Sequence, residues 1–111
     1  MDKEEWADAE ASLREAIRFD PKCAPAHYNL GLSLEKLGKD ADAEASYREA
    51  IRLDPKDARI HWSLMLLFEK RGDVDGAIVE MREYIRKGDP DNDGQAELAR
   101  LLLKKKEDAA P

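Results

Sequence analysis

Few residues in this chain of 111 could do chemistry: two histidines, one cysteine, four serines and scattered carboxylates. His27 and His61 stand 34 positions apart. On two neighbouring helices whose axes lie about 10 Å apart, they are too distant to share one metal ion, so packing is the expected role of both. Outside the repeated Glu-Ala-Ser triplets the only serines are Ser33 and Ser63, and neither has a histidine and an acid at helical spacing to activate it. The single cysteine, Cys23, rules out an internal disulfide and reads as a small turn residue. Asp91-Asn92-Asp93-Gly94 lacks the downstream ligands of a calcium loop and is expected to supply a turn and a helix cap. No glycine-rich phosphate loop occurs. The sequence therefore predicts no enzyme, no metal and no cofactor.

What remains is surface. A net charge of −6 repels a phosphate backbone, which argues against nucleic acid as a partner. The basic run Lys104 to Lys106 suits the last turn of a helix, where lysines favour the negative end of the dipole. The longest apolar run, Leu64 to Phe68, is far short of the ~20 residues that span a bilayer. An acidic start without a signal-peptide pattern and a lone cysteine make a reducing cytoplasm the default location.

The elements that would position any surface site announce themselves by repetition. Ala7 to Lys22, ADAEASLREAIRFDPK, returns as Ala41 to Lys56, ADAEASYREAIRLDPK, with fourteen of sixteen residues identical. The 34-residue period continues along the chain. Ala9 leads to Ala43 and Ala77; Leu13 to Tyr47 and Met81; Leu30 to Leu64 and Leu98; Gly38 to Gly72.

Each period holds two helical patterns. Leu30, Leu34 and Leu37 form one apolar stripe over Ala24 to Leu37, and Gly38 stops it by taking a left-handed conformation. Asp40 and Asp73 are candidates to cap the helices that follow. A second helix, Asp42 to Leu53, carries Ala43, Tyr47, Ala50 and Ile51, and ends at Asp54-Pro55. The alanines Ala9, Ala16, Ala43, Ala50 and Ala77 allow close helix approach, with Leu13, Tyr47 and Met81 filling the space beside it.

On these residues the chain resembles the tetratricopeptide repeat family. One unit reads His27, Leu30, Gly31, Leu34, Ala43, Tyr47 and Pro55; the next reads His61, Leu64, Met65, Phe68, Ala77 and Met81. Met65 in place of glycine, Tyr84 in place of Ala16 and Ala50, and Pro90 shifted by one position depart from the pattern and predict looser packing in the later unit. The resemblance implies an all-α solenoid of about six antiparallel helices in a right-handed superhelical stack, one domain over 1–111. Its parts are a second-type helix at 3–20, full repeats at 24–57 and 58–91, and a terminal first-type helix at 93–106. It also implies that the first helices line a concave groove for a peptide or helix of a partner protein.

Positions that stacking leaves free form ladders at 34-residue steps: Pro25, Arg59, Asp93; Tyr28, Trp62, Ala96; Asn29, Ser63, Glu97; Leu32, Leu66, Arg100; and Lys36, Lys70, Lys104. Tyr28, Leu32, Trp62 and Leu66 are the expected apolar anchors. Asn29, Ser63, Arg59 and Arg100 are the expected polar contacts. The family's carboxylate clamp for chaperone tails fits poorly, since Ser63 stands where that clamp needs an arginine. The competing expectation is homo-oligomerisation as a homodimer, or membership of a longer repeat array. In that reading the apolar groove and a leucine edge including Leu101 and Leu103 pair with another copy, because three consecutive leucines span about 200° of a helix.

Overall fold

The computed structural model describes residues 1–90 and 92–110 and is all-α, with six helices and no strand among those residues. They are α1 (Lys3–Phe19), α2 (Ala24–Lys36), α3 (Asp40–Leu53), α4 (Arg59–Lys70), α5 (Val74–Arg86) and α6 (Gly94–Asp108). None of the described helices is long and apolar enough to cross a membrane. The chain divides into two compact units, Met1–Pro55 with α1 to α3 and Lys56–Pro111 with α4 to α6.

Local chemistry sets the helix ends. Asp2 caps α1 by accepting from the Glu5 backbone N–H at 2.9 Å, and Asp73 caps α5 by accepting from Gly76 N–H at 2.8 Å. Asp40 is not a cap: Lys39 occupies that place and Asp40 is already the first residue of α3. The 34-residue step explains the difference, because Asp73 corresponds to Lys39. Helix α2 closes on Gly38 at φ 77°, with Lys39 N–H bonded to Leu34 O at 2.8 Å. Helix α4 repeats the closure at Gly72, φ 80°, with Asp73 N–H on Phe68 O at 2.8 Å. Both are left-handed helix stops that only glycine adopts without strain. Asp91 of the expected 91–94 turn and cap lies outside the described residues. Gly94 N–H is held by the Asp89 carboxylate at 2.9 Å, while Asp93, at the cap position, makes no capping bond and instead accepts from Tyr84 Oη at 3.4 Å.

In the first unit, α2 lies between α1 and α3. Ala43, Tyr47 and Ala50 of α3 have no exposed surface, and Leu30 and Leu34 of α2 are buried. Gly31 determines how closely α2 and α3 approach: a Cβ there would stand 2.6 Å from two ring carbons of Tyr47. The Tyr47 ring thus occupies the volume that glycine leaves, and its hydroxyl donates to Glu35 Oε1 at 2.9 Å.

In the second unit, α5 packs against both α4 and α6. Met65 and Met81 stand 34 residues after Gly31 and Tyr47, and both are fully buried. Tyr84, in the place of Ala50, is 2% exposed. These departures fill the unit rather than open it. Glycine plus tyrosine has become two methionines, a reciprocal change in volume on facing helices.

Ion pairs tie α6 to α4. Arg100 bonds both oxygens of Glu69, at 2.7 and 2.6 Å, and also Glu97; Lys104 reaches Glu69 at 3.4 Å. Hydrogen bonding from Arg100, with Lys104 adding to it, lowers the Glu69 pKa below its ordinary value of 4.5. The same bonds raise that of Arg100. Leu101, on the same helix, is fully buried.

Two measurements follow from this packing. Gly31→Met should destabilise the fold by about 1–3 kcal/mol in urea unfolding, and adding Tyr47→Met should recover at least half of that loss. Additive costs would show that the two positions do not share a volume. For pH, a carboxylate with a depressed folded pKa contributes stability above its unfolded value and loses it as pH falls through the folded one. The Glu69 contribution is therefore complete above about pH 4.5 and fades below it. Glu69→Gln should flatten the acid limb of stability against pH while remaining folded at pH 7.

Candidate functional site

The residues expected to contact a partner fall on three helices. Tyr28, Asn29 and Leu32 lie on α2; Arg59, Trp62, Ser63 and Leu66 lie on α4; Arg100 lies on α6. On α2 and on α4 an aromatic and a leucine sit four residues apart, which places them on one face of their helix.

Packing uses these aromatics in part. Tyr28 is half-buried, with its ring 5.7 Å from that of Tyr47 at an interplanar angle of 41°. Trp62 is half-buried and meets Tyr84 edge-on, at 5.1 Å and 60°. Each ring leans on the second helix of its own hairpin and keeps an accessible side. Leu32 and Ser63 are half-buried, and Asn29 is exposed. Leu66 is 48% exposed on a helix whose Ile60, His61, Leu64, Met65, Leu67 and Phe68 are all buried.

The cations are engaged within the fold. Arg59 makes a two-pronged bond to Asp57, with Nε and Nη2 each 3.0 Å from a carboxylate oxygen, and lowers the Asp57 pKa by that bond. Arg100 holds Glu69 and Glu97, so a partner's carboxylate would have to displace them. The leucine edge needs correction at one residue. Leu101 has no exposed surface and takes no part in an edge, because the 100° step per residue turns it inward from Leu102 and Leu103. Leu102 and Leu103 are 40% and 57% exposed.

The two histidines diverge despite their matching positions. His27 Nε2 lies 2.9 Å from the Pro21 carbonyl oxygen, and the ring lines a cleft of about 510 Å3 with Arg14, Ile17, Leu30, Ser46 and Glu49. His61 is 4% exposed and joins a buried polar chain. Lys87 Nζ donates to His61 Nε2 at 2.7 Å, and His61 Nδ1 donates to Glu80 Oε1 at 3.0 Å. A lysine donating to Nε2 places the ring proton on Nδ1, where Glu80 accepts it. Glu80 is itself only 3% exposed. Burying a carboxylate is tolerated only with such partners, and removing one of them leaves a costly orphan charge. This chain of bonds was not anticipated from the sequence. The signal was present in the period, since Glu80 and Lys87 replace Ser46 and Leu53 34 residues earlier. Two opposite charges entering one helix face seven residues apart point to a common partner.

Among the described residues no group of three or more His, Cys, Asp or Glu could hold a metal ion. Accessible apolar surface lies at Tyr28 and Leu32 on α2 and, within the second unit, at Trp62 and Leu66 on α4.

Comparison with known proteins places this architecture. The family profile described as tetratricopeptide repeat matches residues 1–58 and 36–93. Among curated proteins none matches the sequence significantly. The thermophilic TPR protein TTC0263 of Thermus thermophilus superposes with a TM-score of 0.80 at 30% identity, over 88% of this chain and 50% of that one. MamA gives 0.74 at 28% identity, over 77% of this chain and 50% of MamA. PcrH, solved in complex with the chaperone binding region of PopD, gives 0.83 at 21% identity, over 91% of this chain and 81% of PcrH, a likeness of fold alone. The chain spans about half the length of TTC0263 and of MamA. With the profile covering most of the sequence and the helical hairpins repeating at its period, the chain belongs to the tetratricopeptide repeat family.

Proposed function

We propose that this chain is a protein-interaction module that binds a polypeptide segment of a partner, with the first-type helix of each unit, α2 in the first and α4 in the second, as its contacting element. Tyr28 and Leu32 anchor the partner on one helix, Trp62 and Leu66 on the other. Asn29 and Ser63 bond its backbone.

The observation that carries this reading is Leu66. It is half exposed beside the accessible side of Trp62, on a helix otherwise saturated with buried apolar residues. Neither side chain is needed at those positions by the 34-residue stacking pattern. An aromatic and a leucine four residues apart on one face make the kind of anchor that dominates binding energy. Family membership supports the reading, because in this family the first helices line the partner-binding face. PcrH, a protein of the same fold, is known in complex with the chaperone binding region of PopD. A peptide or helix of mixed apolar and polar character suits this face better than an acidic chaperone tail, because Arg100 is committed to Glu69.

Leu66→Asp is the cleanest test, since the side chain is largely in solvent and the fold should tolerate the change. It should abolish capture of whatever the wild-type chain retains from a lysate of its source, with helicity unaltered. Trp62→Ala should weaken a captured partner by about 2 kcal/mol, roughly 30-fold, in titration calorimetry. It should also lose about 1 kcal/mol of stability through the Tyr84 ring contact. Retention of the same partners by Leu66→Asp would remove α4 from the site.

A further inference from the structure

The first unit holds a cleft beside His27, walled by three helices that follow one another in the chain. Ile17 of α1, Leu30 of α2 and Ala45 of α3 give it apolar surface, and Arg14, Arg18, His27, Ser46 and Glu49 give it polar groups. At about 510 Å3 it has the size of a small-molecule site, for which roughly 300–1,000 Å3 is usual. The second unit shows what kind of group His27 and Ser46 are placed to receive. Thirty-four residues on, the same two positions are His61 and Glu80, and the Glu80 carboxylate accepts a hydrogen bond from His61 Nδ1 at 3.0 Å. Serine stops short of where that carboxylate would lie, on a helix facing the same kind of ring.

We propose that the cleft binds a small organic carboxylate with an apolar body. The carboxylate lies between His27 and Ser46, as that of Glu80 lies against His61, and the body lies against Ile17, Leu30 and Ala45. Charge favours an anion here although the whole chain carries −6. Glu10 is shared by Arg14 and Lys39, Glu15 is held by Arg18 and Glu49 by Arg52, so around the cleft four cations share three carboxylates. Arg14 uses its Nε on Glu10 and Arg18 its Nη1 on Glu15. A guanidinium has five N–H donors, so each can bond a second carboxylate without losing the first.

The proton count differs between the two units. His61 accepts at Nε2 from Lys87, so its single ring proton on Nδ1 serves Glu80. His27 Nε2 lies 2.9 Å from the Pro21 carbonyl oxygen and must donate there, because a carbonyl only accepts. A carboxylate at Nδ1 then needs a second ring proton, and binding takes up one proton to form an imidazolium–carboxylate pair. Of the charged groups around the ring, Arg14 and Arg18 reach the cleft from α1 and oppose that proton, while Glu49 on α3 favours it. None of these residues is among those proposed to contact a polypeptide, so the two sites stand or fall separately.

Octanoate and octanol, equal in chain length, are the probes, titrated into the full chain and followed by the amide resonances in proton–nitrogen correlation spectra. Octanoate should shift the resonances of Ile17, His27, Leu30 and Ser46 saturably and bind about tenfold more tightly than octanol. Because a proton is taken up, octanoate should bind more tightly at pH 6 than at pH 8. His27→Gln, which keeps a donor for the Pro21 carbonyl, should remove that dependence. Ser46→Glu supplies the carboxylate from within the chain and should abolish octanoate binding while keeping wild-type helicity by circular dichroism. The double variant Arg14→Gln, Arg18→Gln should weaken octanoate and leave octanol unchanged. Equal affinity for the two probes, shifts centred on another face, the absence of a saturable shift, or binding that ignores pH would each overturn the proposal. So would a folded Ser46→Glu that binds octanoate like wild type, and, should that variant fail to fold, unchanged octanoate affinity in the double arginine variant would do so by itself.

Discussion

The constraint on which this architecture rests is the volume available where two helices of a hairpin cross. Between α2 and α3 that volume is filled by one aromatic ring because the facing residue has no side chain at all. Everything else in the first unit follows from the approach this permits: Ala43 and Ala50 close up on either side of Tyr47, and Leu30 and Leu34 seal the seam. The tyrosine hydroxyl emerges at the edge of the crossing, where Glu35 satisfies it. Close packing and polar satisfaction are solved together by one residue pair.

The second unit solves the same problem differently, and the differences are coupled. With methionine at both crossing positions there is no phenol for Glu69 to accept from, and that carboxylate turns instead to Arg100 and Lys104 on α6. Where the first unit has alanine at position 50, the second has Tyr84, which receives the edge of Trp62. Where the first leaves His27 at the rim of an open cleft, the second buries His61 between a lysine and a glutamate. Two hairpins built on one 34-residue period therefore carry different polar interiors, and substitutions arrive in matched sets because a buried group cannot change without its neighbours.

Much of this was legible in the sequence. The period located the helices to within two residues at most ends whose bounds the pattern gave, and the glycines that close α2 and α4 were recognisable because nothing but a left-handed stop calls for glycine after an apolar stripe. The alanine positions marked the buried face of α3 and the start of that on α5. Three things were hidden. The cap of α3 was misplaced because Asp40 looks like a cap by type while the period points to Lys39. Leu101 looked like part of an edge because three adjacent leucines cannot be told apart without knowing which way the helix is turned. The polar chain through His61 escaped because two charged residues on an amphipathic helix ordinarily read as solvent-facing, and only their joint absence from the preceding repeat gives them away. Subtraction of the packing positions yields candidate contact residues, but it does not reveal that Arg59 and Arg100 are already claimed by acids.

The reciprocal crossing has a bearing on how such chains can be recombined. A chimera cut between the two helices of a hairpin would set Met65 against Tyr47, two bulky side chains where the space fits one, or Gly31 against Met81, leaving part of the crossing empty. A cut in the Asp54–Asp57 loop separates no such pair. The exchangeable module at each crossing is the whole hairpin, which carries both members of the pair together.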